Sequence, residues 1–320
     1  MKRLFASLVL IACAVPAWAV ELHVSKTEAG AYATVQAALD ALPAEGGDLL
    51  IAPGTYREKL RVDKPHVRFI GKGMKPEDVV LVWGDSSINV GNTYNTPSTY
   101  VAADDFYAEN LTFDNDWTRS GKPNSQAVAL AVTGDRAVFI RVRILGAQDT
   151  LYLAHPEGKV VRHYFRDCYI EGHVDFIFGN AKAYFDRCQI HGIERPTIMY
   201  TAQSRNSRDE DSAFVFDHCR LTAYEGAKGN VWLGRAWRPY ARVIFLDTQI
   251  DAPVDKSGWR EWYPDRSKTL HTAYYAEYNS TGPGASPNTR QIFSYQLTAE
   301  QAQTWRLAAF FKGDTGWIPK

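Results

Sequence analysis

The chain has 320 residues, of which 45% are hydrophobic, 13% aromatic and 22% charged, and this composition excludes a disordered or collagen-like protein. Lysine plus arginine and aspartate plus glutamate each total 36, so the formal net charge is +0 at pH 7. A dedicated nucleic-acid binder would carry a basic excess. Four cysteines are too few for a disulfide scaffold, and they lack the paired short spacings of a structural zinc site.

The first 19 residues have the pattern of an export signal. Lys2 and Arg3 precede an apolar run, and residues 17–19 (Ala-Trp-Ala) give the small-x-small pattern of a cleavage site. The run is shorter than the roughly 20 residues that span a bilayer. We therefore predict a signal peptide at 1–19 and a protein exported to the periplasm or the exterior, with no membrane span.

An alternative fate of this leader is lipid anchoring. Residues 10–13 (Leu-Ile-Ala-Cys) resemble a lipobox, in which Cys13 would carry the lipid of an outer-membrane lipoprotein. The short apolar run before Cys13 and the well-formed site at 17–19 favour simple cleavage.

A short helix is predicted after the leader. Thr34 is a candidate N-cap and Pro43 marks the end of the helix. Apolar residues between them follow the i, i+3, i+4, i+7 spacing of one helix face, namely Val35, Ala38, Leu39 and Leu42. A solenoid needs its ends covered, and this helix would cap the N-terminal end of one.

The body of the chain repeats a six-residue pattern: an aromatic residue, two variable residues, a small or apolar residue, one variable residue and an aliphatic residue. The copies are 139–144, 165–170, 185–190, 216–221 and 245–250, with a weaker one at 108–113. We interpret each copy as a strand, because inward and outward residues alternate. A period of 20–30 residues indicates a solenoid.

The predicted fold is therefore all-β, a parallel β-helix whose turns carry short strands and one longer loop. An antiparallel β-sandwich is the alternative. Its strands should recur every 8–12 residues with hairpin turns, and no Asn-Gly or Asp-Gly pair occurs in residues 100–250.

The C-terminal part is predicted to contain loops and a helix. Residues 251–290, rich in Trp, Tyr, Gly and Pro, are interpreted as long loops. Residues 298–301 (Thr-Ala-Glu-Gln) form a capping box before the apolar stretch 305–311, which we expect to pack back along the solenoid. No linker rich in Pro, Gly or Ser is present, so 20–320 is predicted to be one domain.

Two aspartates occupy equivalent places on consecutive repeats. Asp149 and Asp175 each lie seven residues after a repeat marker, Val142 and Cys168. Because neighbouring strands lie roughly 4.8 Å apart, we expect the two carboxylates roughly 5 Å apart on one face. Such a pair does not titrate alike, and one ionised and one protonated carboxyl suit a nucleophile and a general acid. The alternative is two solvated loop aspartates.

The surroundings of Asp175 favour a functional site. Residues 172–180 (GHVDFIFGN) place this charge in an apolar, aromatic run, where it needs a partner. Arg235 can hold a carboxylate with two hydrogen bonds, and the adjacent Trp237 can stack on a sugar ring.

Five segments resemble the motifs of the pectinesterase (pectin methylesterase) family. They are 54–58 (GTYRE), 126–130 (QAVAL), 146–152 (GAQDTLY), 172–180 (GHVDFIFGN) and 233–237 (LGRAW). The resemblance covers roughly residues 22–312. The fifth motif departs from the family, because Ala236 replaces the usual proline, and we expect only a local change in loop stiffness.

The resemblance implies a right-handed parallel β-helix that hydrolyses methyl esters of polygalacturonate. By similarity, Asp175 attacks the ester carbonyl, and Gln126 and Gln148 donate hydrogen bonds to the developing oxyanion. Asp149 protonates the departing methanol and then activates the water that clears the acyl-enzyme. Arg235 orients Asp175 and keeps it ionised.

Three aromatic residues are predicted to bind the substrate, which would be pectin, a methyl-esterified homogalacturonan. Trp237, Phe178 and Tyr152 are interpreted as sugar-stacking residues, with core packing as the alternative for each. The eight histidines show no metal-ligand spacing, so neither a metal nor another cofactor is expected. His173 is interpreted as a local hydrogen-bonding residue, and the protein is expected to be a monomer.

Cys168 and Cys188 occupy equivalent places on turns 20 residues apart. Their Cα atoms should lie within disulfide range, so we predict a structural disulfide between them. The alternative is a stack of free thiols in the core.

A glycosidase or lyase of the same polymer and a non-catalytic relative are the alternative functions. Paired carboxylates roughly 5 Å apart also suit a retaining glycosidase, and lyases act on the same polymer. The paired glutamines and Arg235 favour ester chemistry, and no Gly-x-Ser-x-Gly motif of serine hydrolases is present. A non-catalytic wall-associated relative would be expected to lack one of the five catalytic candidates.

Overall fold

The structure is a computed structural model that describes residues 20–156, 158–263, 265 and 268–320. The predicted signal peptide and the lipobox with Cys13 lie outside the described residues. Across those ranges, no helix is both long and apolar enough to cross a membrane.

The described residues form 27 strands, four α-helices and five 3₁₀ helices. The strands are β1 Glu21–Val24, β2 Gly47–Ile51, β3 Gly54–Arg57, β4 Leu60–Val62, β5 Val67–Gly71, β6 Val79–Trp83, β7 Thr99–Val101, β8 Tyr107–Glu109, β9 Thr112–Asn115, β10 Leu130–Val132, β11 Ala137–Ile140, β12 Arg143–Leu145, β13 Leu151–Leu153, β14 Arg162–Arg166, β15 Tyr169–Gly172, β16 Ile177–Gly179, β17 Lys182–Asp186, β18 Gln189–Gly192, β19 Ile198–Gln203, β20 Ala213–Asp217, β21 Arg220–Ala223, β22 Val231–Arg235, β23 Arg242–Leu246, β24 Gln249–Ile250, β25 Trp259–Arg260, β26 Tyr274–Tyr278 and β27 Ser294–Gln296. The α-helices are α1 Val35–Ala41, α2 Ser87–Val90, α3 Ala299–Gln303 and α4 Leu307–Phe310. The 3₁₀ helices are Pro76–Asp78, Thr93–Asn95, Thr118–Ser120, Thr269–His271 and Pro287–Thr289.

The strands form three parallel sheets. Sheet A has eleven strands in the order β1-β2-β5-β8-β11-β14-β17-β20-β23-β26-β27, sheet B runs from β3 to β24, and sheet C runs from β4 to β25. From β2 to β25, each turn contributes one strand to each sheet in sequence, such as β14, β15 and β16. The three sheets enclose one long apolar core, which confirms the predicted parallel β-helix.

The repeated pattern marks a corner of this helix and not a single strand. Its aromatic residue is the last but one of a sheet A strand and points into the core. There Phe139, Phe165, Phe185, Phe216 and Phe245 form a ladder with ring centroids 4.6, 4.8, 4.5 and 4.7 Å apart. The third residue of each copy has a positive φ between 45° and 55°, namely Arg141, Asp167, Arg187, His218 and Asp247. This left-handed residue turns the chain from sheet A to sheet B, and the fourth and sixth residues point inward again. The interpretation of one strand per copy was therefore wrong.

The aromatic ladder is expected to carry much of the stability. Phe185 is fully buried and stacks on Phe165 and Phe216 at 4.8 and 4.5 Å. Phe185→Ala should lower the free energy of unfolding by about 3–5 kcal/mol, because it leaves a cavity between two rings. Chemical denaturation measures the change, and Phe293→Ala, at a side chain 38% exposed, should cost no more than about 0.5 kcal/mol. Equal costs for the two variants would contradict the ladder's role.

The predicted N-terminal helix is confirmed as α1. The Thr34 side chain accepts a hydrogen bond from the Ala37 amide, and the Glu58 carboxylate accepts one from the Val35 amide and one from the Gln36 amide, each at 2.9 Å. The acidic residue of the first family motif thus neutralises the helix N-terminus. Its role is structural, and α1 covers the end of the core.

The predicted capping box at 298–301 and the packing of the apolar stretch 305–311 along the solenoid are also confirmed. The Thr298 and Gln301 side chains each accept from the other residue's backbone amide, at 3.2 and 2.9 Å, which forms the capping box. After α3, the apolar stretch folds against the outer face of sheet A, where Phe310 and Phe311 lie 5.7 and 6.3 Å from the ring of Tyr184.

The interpretation of 251–290 as loops was wrong in part. This segment contains β25, which completes the turn of β23 and β24, and β26, which begins the next turn in sheet A. Trp259 is fully buried and stacks face to face on Tyr275 at 3.9 Å. The aromatic residues of this segment therefore close the C-terminal end of the core.

The predicted disulfide is absent, because Cys168, Cys188 and Cys219 are all free and buried. On in-register parallel strands the side chains point the same way and stay roughly 4.8 Å apart, whereas a disulfide needs Cβ atoms at about 3.8 Å. The thiols of Cys168 and Cys188 instead donate to the carbonyls of Phe139 and Phe165 on the preceding turns, at 3.4 and 3.6 Å. The alternative, a stack of thiols in the core, is the one observed.

Candidate active site

Asp149 and Asp175 lie at the same corner of consecutive turns, between sheets B and C. The strands that follow them pair in register, Leu151 opposite Ile177, so the 26-residue spacing places one aspartate directly beside the other. Both have a left-handed backbone, with φ of 61° and 53°. The Asp149 amide donates to the Val174 carbonyl at 3.2 Å, which fixes the two corners together.

A glycine makes this close approach possible. A Cβ atom on Gly172 would lie 2.3 Å from the Cβ of Phe176 and 2.7 Å from the Ala147 carbonyl oxygen. Any side chain there would push the two corners apart. The glycine that opens the fourth motif is therefore needed to hold Asp175 beside Asp149.

Arg235 is the partner that Asp175 requires. Its Nε and Nη2 atoms donate to Oδ1 and Oδ2 of Asp175 at 2.9 and 2.6 Å, and Asp175 is only 5% exposed. The guanidinium also lies 4.0 Å from the centre of the Trp262 ring, where the ring face attracts the positive charge. The arginine is thus held on two sides, and it fixes the plane of the carboxylate.

The two carboxyl groups differ in acidity. Burial, and then the negative charge of Asp175, raise the pKa of Asp149 well above its usual value. Burial also raises the pKa of Asp175, but the hydrogen bonds and charge of Arg235 oppose the rise. The proton shared by such a pair therefore resides on Asp149, while Asp175 is the carboxylate.

Gln126 and Gln148 lie on adjacent turns and pair with each other as an isolated parallel bridge. Their amide oxygens already accept hydrogen bonds, from the Ser87 hydroxyl at 2.6 Å and from Asn124 Nδ2 at 3.2 Å. The amide NH₂ groups are therefore the ends available as donors toward the groove. Ser87, in the one-turn helix α2, and Asn124, in a loop, were not predicted, because isolated polar residues carry no sequence pattern.

An aromatic row runs along the outer face of sheet C. Successive ring centroids lie 5.5, 4.8, 6.0 and 6.5 Å apart, in the order Tyr94, Tyr152, Phe178, Trp237 and Trp262. The three predicted stacking residues belong to this row, although Phe178 is only 4% exposed and also packs against its neighbours. Tyr94 and Trp262 were missed, since the first lies in the 3₁₀ helix Thr93–Asn95, which carries no motif, and the second lies in the segment interpreted as loops.

All five catalytic candidates line one cavity of about 320 Å³. Ala202 forms part of its floor, and the small side chain leaves space between the aromatic row and the aspartates. Ala236 is fully buried in the core, so Arg235 and Trp237 on either side of it face outward into the groove. The substitution for proline thus keeps both side chains in place.

His173 has a local role. It is 2% exposed, its Nδ1 accepts from the Val174 amide at 2.8 Å, and burial lowers its pKa to about 4. A neutral histidine bonded within its own turn shapes the corner before Asp175, as predicted.

One group of possible metal ligands occurs within the described ranges, formed by Asp217, His218 and Asp247. Arg306 donates to both carboxylates of this group. A guanidinium therefore already supplies the positive charge that a cation would bring. The group lies at the corner between sheets A and B, away from the groove.

Comparisons with known proteins identify the family of this chain. A model of the Pectinesterase family matches residues 21–314. Pectinesterase QRT1 from Arabidopsis thaliana is 37% identical over 304 residues, which are 91% of this chain and 77% of that protein. The structure of pectin methylesterase from carrot matches with a TM-score of 0.82 and 29% identity, over 91% of this chain and 93% of that one.

A further solved structure is a pectin methylesterase in complex with hexasaccharide VII. It matches with a TM-score of 0.77 and 26% identity, over 93% of this chain and 98% of that one. The likeness to pectin methylesterase structures confirms the right-handed parallel β-helix predicted from the resemblance. The family model, the sequence relatives and the solved structures together show that this chain belongs to the pectinesterase family of carboxylic ester hydrolases.

Proposed function

We propose that this chain hydrolyses the methyl esters of galacturonate units in pectin, and that the groove on sheet C is its active site. Family membership places it among carboxylic ester hydrolases and not among the glycosidases or lyases considered above. The observation that carries the proposal is the convergence of Asp149, Asp175, Arg235 and two glutamine amides on one cavity. All five candidates are present, which disfavours a non-catalytic relative.

In the first half of the reaction, the Asp175 carboxylate attacks the carbonyl carbon of the methyl ester. Arg235 holds this carboxylate in place and favours its ionised form. The carbonyl oxygen becomes an oxyanion, which the NH₂ groups of Gln126 and Gln148 stabilise. The tetrahedral intermediate then expels the methoxy group, which takes the proton of Asp149 and leaves as methanol.

In the second half, a galacturonyl–Asp175 anhydride is hydrolysed. Asp149, now ionised, accepts a proton from water as the water attacks the galacturonyl carbonyl. The same amides stabilise the second oxyanion, and the Asp175 carboxylate leaves. The products are methanol and galacturonic acid, which releases its proton to the solvent and becomes a free carboxylate, and both aspartates return to their starting protonation states.

The oxyanion role of Gln148 has a measurable consequence. Gln148→Ala should lower kcat by about 10²–10³-fold, the loss expected for one oxyanion donor. KM should change less, because the hydrogen bond strengthens only as negative charge develops. Gln189→Ala, at a residue of β18 outside the groove, is the matched control. An unchanged kcat in Gln148→Ala would remove the assigned role.

The two carboxyls predict a bell-shaped dependence of kcat/KM on pH. Activity should fall at low pH, as Asp175 gains a proton, and at high pH, as Asp149 loses its proton. Arg235 opposes the rise in the pKa of Asp175, so Arg235→Gln should move the acid limb to higher pH. Rates of methanol release across pH test this, and an acid limb that stays in place would contradict the role of Arg235.

The groove suits an extended polymer of sugar rings. The aromatic row offers ring faces on which sugars stack, and the related pectin methylesterase bound to a hexasaccharide supports an oligosaccharide ligand here. We further propose that residues 20–320 act as one monomeric domain, exported by the predicted leader.

A product assay tests the proposed function. Incubation with methyl-esterified pectin should release methanol and acid in equal amounts, without new reducing ends and without unsaturated products. New reducing ends would indicate a glycosidase, and unsaturated products would indicate a lyase. Chain cleavage without methanol would overturn the proposal.

A further inference from the structure

A second cavity lies on the other side of the loop that carries Trp237. Its volume is about 590 Å³, and residues 236–241 separate it from the groove. Its remaining walls come from residues 205–208, from Tyr274 of β26 and from the C-terminal segment that contains Trp305. We call it the arginine cavity, after Arg205, Arg208 and Arg242.

Three guanidiniums face this cavity, and its described lining contains no aspartate or glutamate. Arg205 is 5% exposed and donates to the backbone carbonyls of Glu210 and Tyr240, at 2.6 and 3.4 Å. Within the described part of the chain, Arg205, Arg208 and Arg242 form no ion pair with a carboxylate.

Two acidic residues near the cavity, Glu210 and Asp211, bond other side chains. Asp211 accepts from Lys182 at 2.9 Å and from Lys312 at 2.8 Å. Glu210 accepts from His155 at 2.7 Å and from Asn180 at 3.0 Å. Carboxylates of residues 209–211 attract Arg205 from a distance, but among the described residues none forms an ion pair with the arginines of the cavity.

This concentration of charge is unfavourable in the free protein. Burial, and then the charge of Arg242, lower the pKa of Arg205 to about 10, and burial also lowers the pKa of Arg242. An anion between these side chains would remove the repulsion and gain charge-assisted hydrogen bonds.

Aromatic rings line the cavity beside the arginines. Tyr274 stacks on Tyr295 at 5.0 Å and lies 5.5 Å from Trp305. The Arg242 guanidinium lies 5.6 Å from the Trp305 ring centre, and that of Arg208 lies 5.6 Å from the Tyr240 ring. A ring face can contact a sugar ring, and a neighbouring guanidinium can bind its carboxylate. The cavity therefore suits an acidic sugar better than an inorganic anion.

We propose that the arginine cavity is a second binding site, which takes the free carboxylate and ring of a de-esterified galacturonate unit. The proposal rests on the proposed function only for the source of this ligand, since ester hydrolysis produces it. Loop 236–241 links the two sites directly: Trp237 donates its amide to the Gln203 carbonyl at 3.1 Å, and Tyr240 donates to the Arg205 carbonyl at 3.1 Å. The enzyme would hold its own acidic product beside the groove.

Calorimetric titration with trigalacturonate, which carries no ester, tests the site. Arg208→Gln combined with Arg242→Gln should weaken binding at this site by about tenfold or more, the loss expected for charged hydrogen bonds. Arg208 is exposed, so Arg208→Gln alone provides a second variant that leaves the core intact. Arg187→Gln combined with Arg220→Gln, at exposed arginines on another face, is the matched control and should bind as the wild type does.

The ligand and the site are checked separately. Maltotriose, which is neutral, should not bind at the arginine cavity, and inorganic phosphate should bind more weakly than trigalacturonate. Crystals soaked in trigalacturonate should show a galacturonate carboxylate within hydrogen-bond distance of Arg242. Equal binding of phosphate, wild-type affinity in the double variant, or sugar in the groove alone would each overturn the proposal.

The esterase assay separates this proposal from the function. Both arginine variants should release methanol from a fully methyl-esterified trimer at the wild-type kcat, because the groove is unchanged. Methanol release without a second trigalacturonate site would refute the proposed binding at the arginine cavity and leave the proposed esterase function standing. Trigalacturonate binding without methanol release would refute the esterase alone.

Discussion

Asp175→Asn is expected to lower kcat for methyl-ester hydrolysis by about 10⁴-fold or more, as removal of a covalent nucleophile does in other hydrolases. The amide keeps the size of the carboxylate, so the turn around position 175 should stay folded. It removes the negative charge that attacks the ester and that pairs with Arg235 at 2.6 and 2.9 Å. Methanol release measures the loss, and the thermal unfolding temperature checks the fold.

Asp251→Asn is the matched control for this variant. Asp251 accepts from Arg220 at 2.6 Å at the surface, so this change also breaks an arginine–aspartate pair but leaves the groove untouched. Its kcat should equal that of the wild type. Near-normal activity in Asp175→Asn would refute the nucleophile assignment.

Asp149→Asn is expected to lower kcat by about 10²–10⁴-fold, the contribution of a positioned general acid. The loss should be smaller for a galacturonate ester with a more acidic alcohol than methanol, because that alcohol leaves without being protonated. The alkaline limb of the pH profile should disappear as well, since the raised pKa of Asp149 sets it. Rates for the two esters across pH measure both effects.

Equal losses for both esters in Asp149→Asn would contradict the role of acid, and so would an alkaline limb that persists. The replacement keeps the side-chain volume, and the Asp149 backbone hydrogen bond to Val174 does not depend on the carboxyl. A structural defect should therefore appear as a lower unfolding temperature and not as a dependence on the leaving alcohol.

The sequence predicted the features that depend on stacking. Equal offsets from the repeat markers were enough to place Asp149 beside Asp175, because in-register parallel strands transmit an offset from one turn to the next. The caps of α1 and α3 were also predicted, since they depend on contacts within a few residues. The sequence alone therefore predicts the pairing of Asp149 with Asp175, from the repeat spacing, and the caps of α1 and α3, from residues close together in the chain.

Other features depend on contacts that spacing does not encode. Stacking brings Cys168 and Cys188 near each other, but it also points both thiols the same way, so they do not bond. Ser87, which donates to Gln126, begins the short helix α2, 39 residues away in the chain. Trp259 belongs to β25, a strand of two residues in a segment rich in glycine and proline. Such a strand is too short to show an alternating pattern, so this segment was interpreted as loops.

The first motif shows why a family resemblance alone does not assign chemistry. Tyr56 is 1% exposed, Arg57 pairs with Asp116 at 2.8 Å, and Glu58 caps α1. These residues hold the N-terminal end of the solenoid together and lie outside the groove. Of the five motifs, only the four later ones supply groups that line the cavity.

The most direct test of the account is a crystal structure of Asp175→Asn with a fully methyl-esterified hexagalacturonate bound. One ester carbonyl carbon should lie about 3–3.5 Å from the side chain at position 175. Its oxygen should lie within hydrogen-bond distance of the Gln126 and Gln148 amides, with the methoxy oxygen toward Asp149. An ester bound away from position 175, or a methoxy group on the side opposite Asp149, would contradict the mechanism.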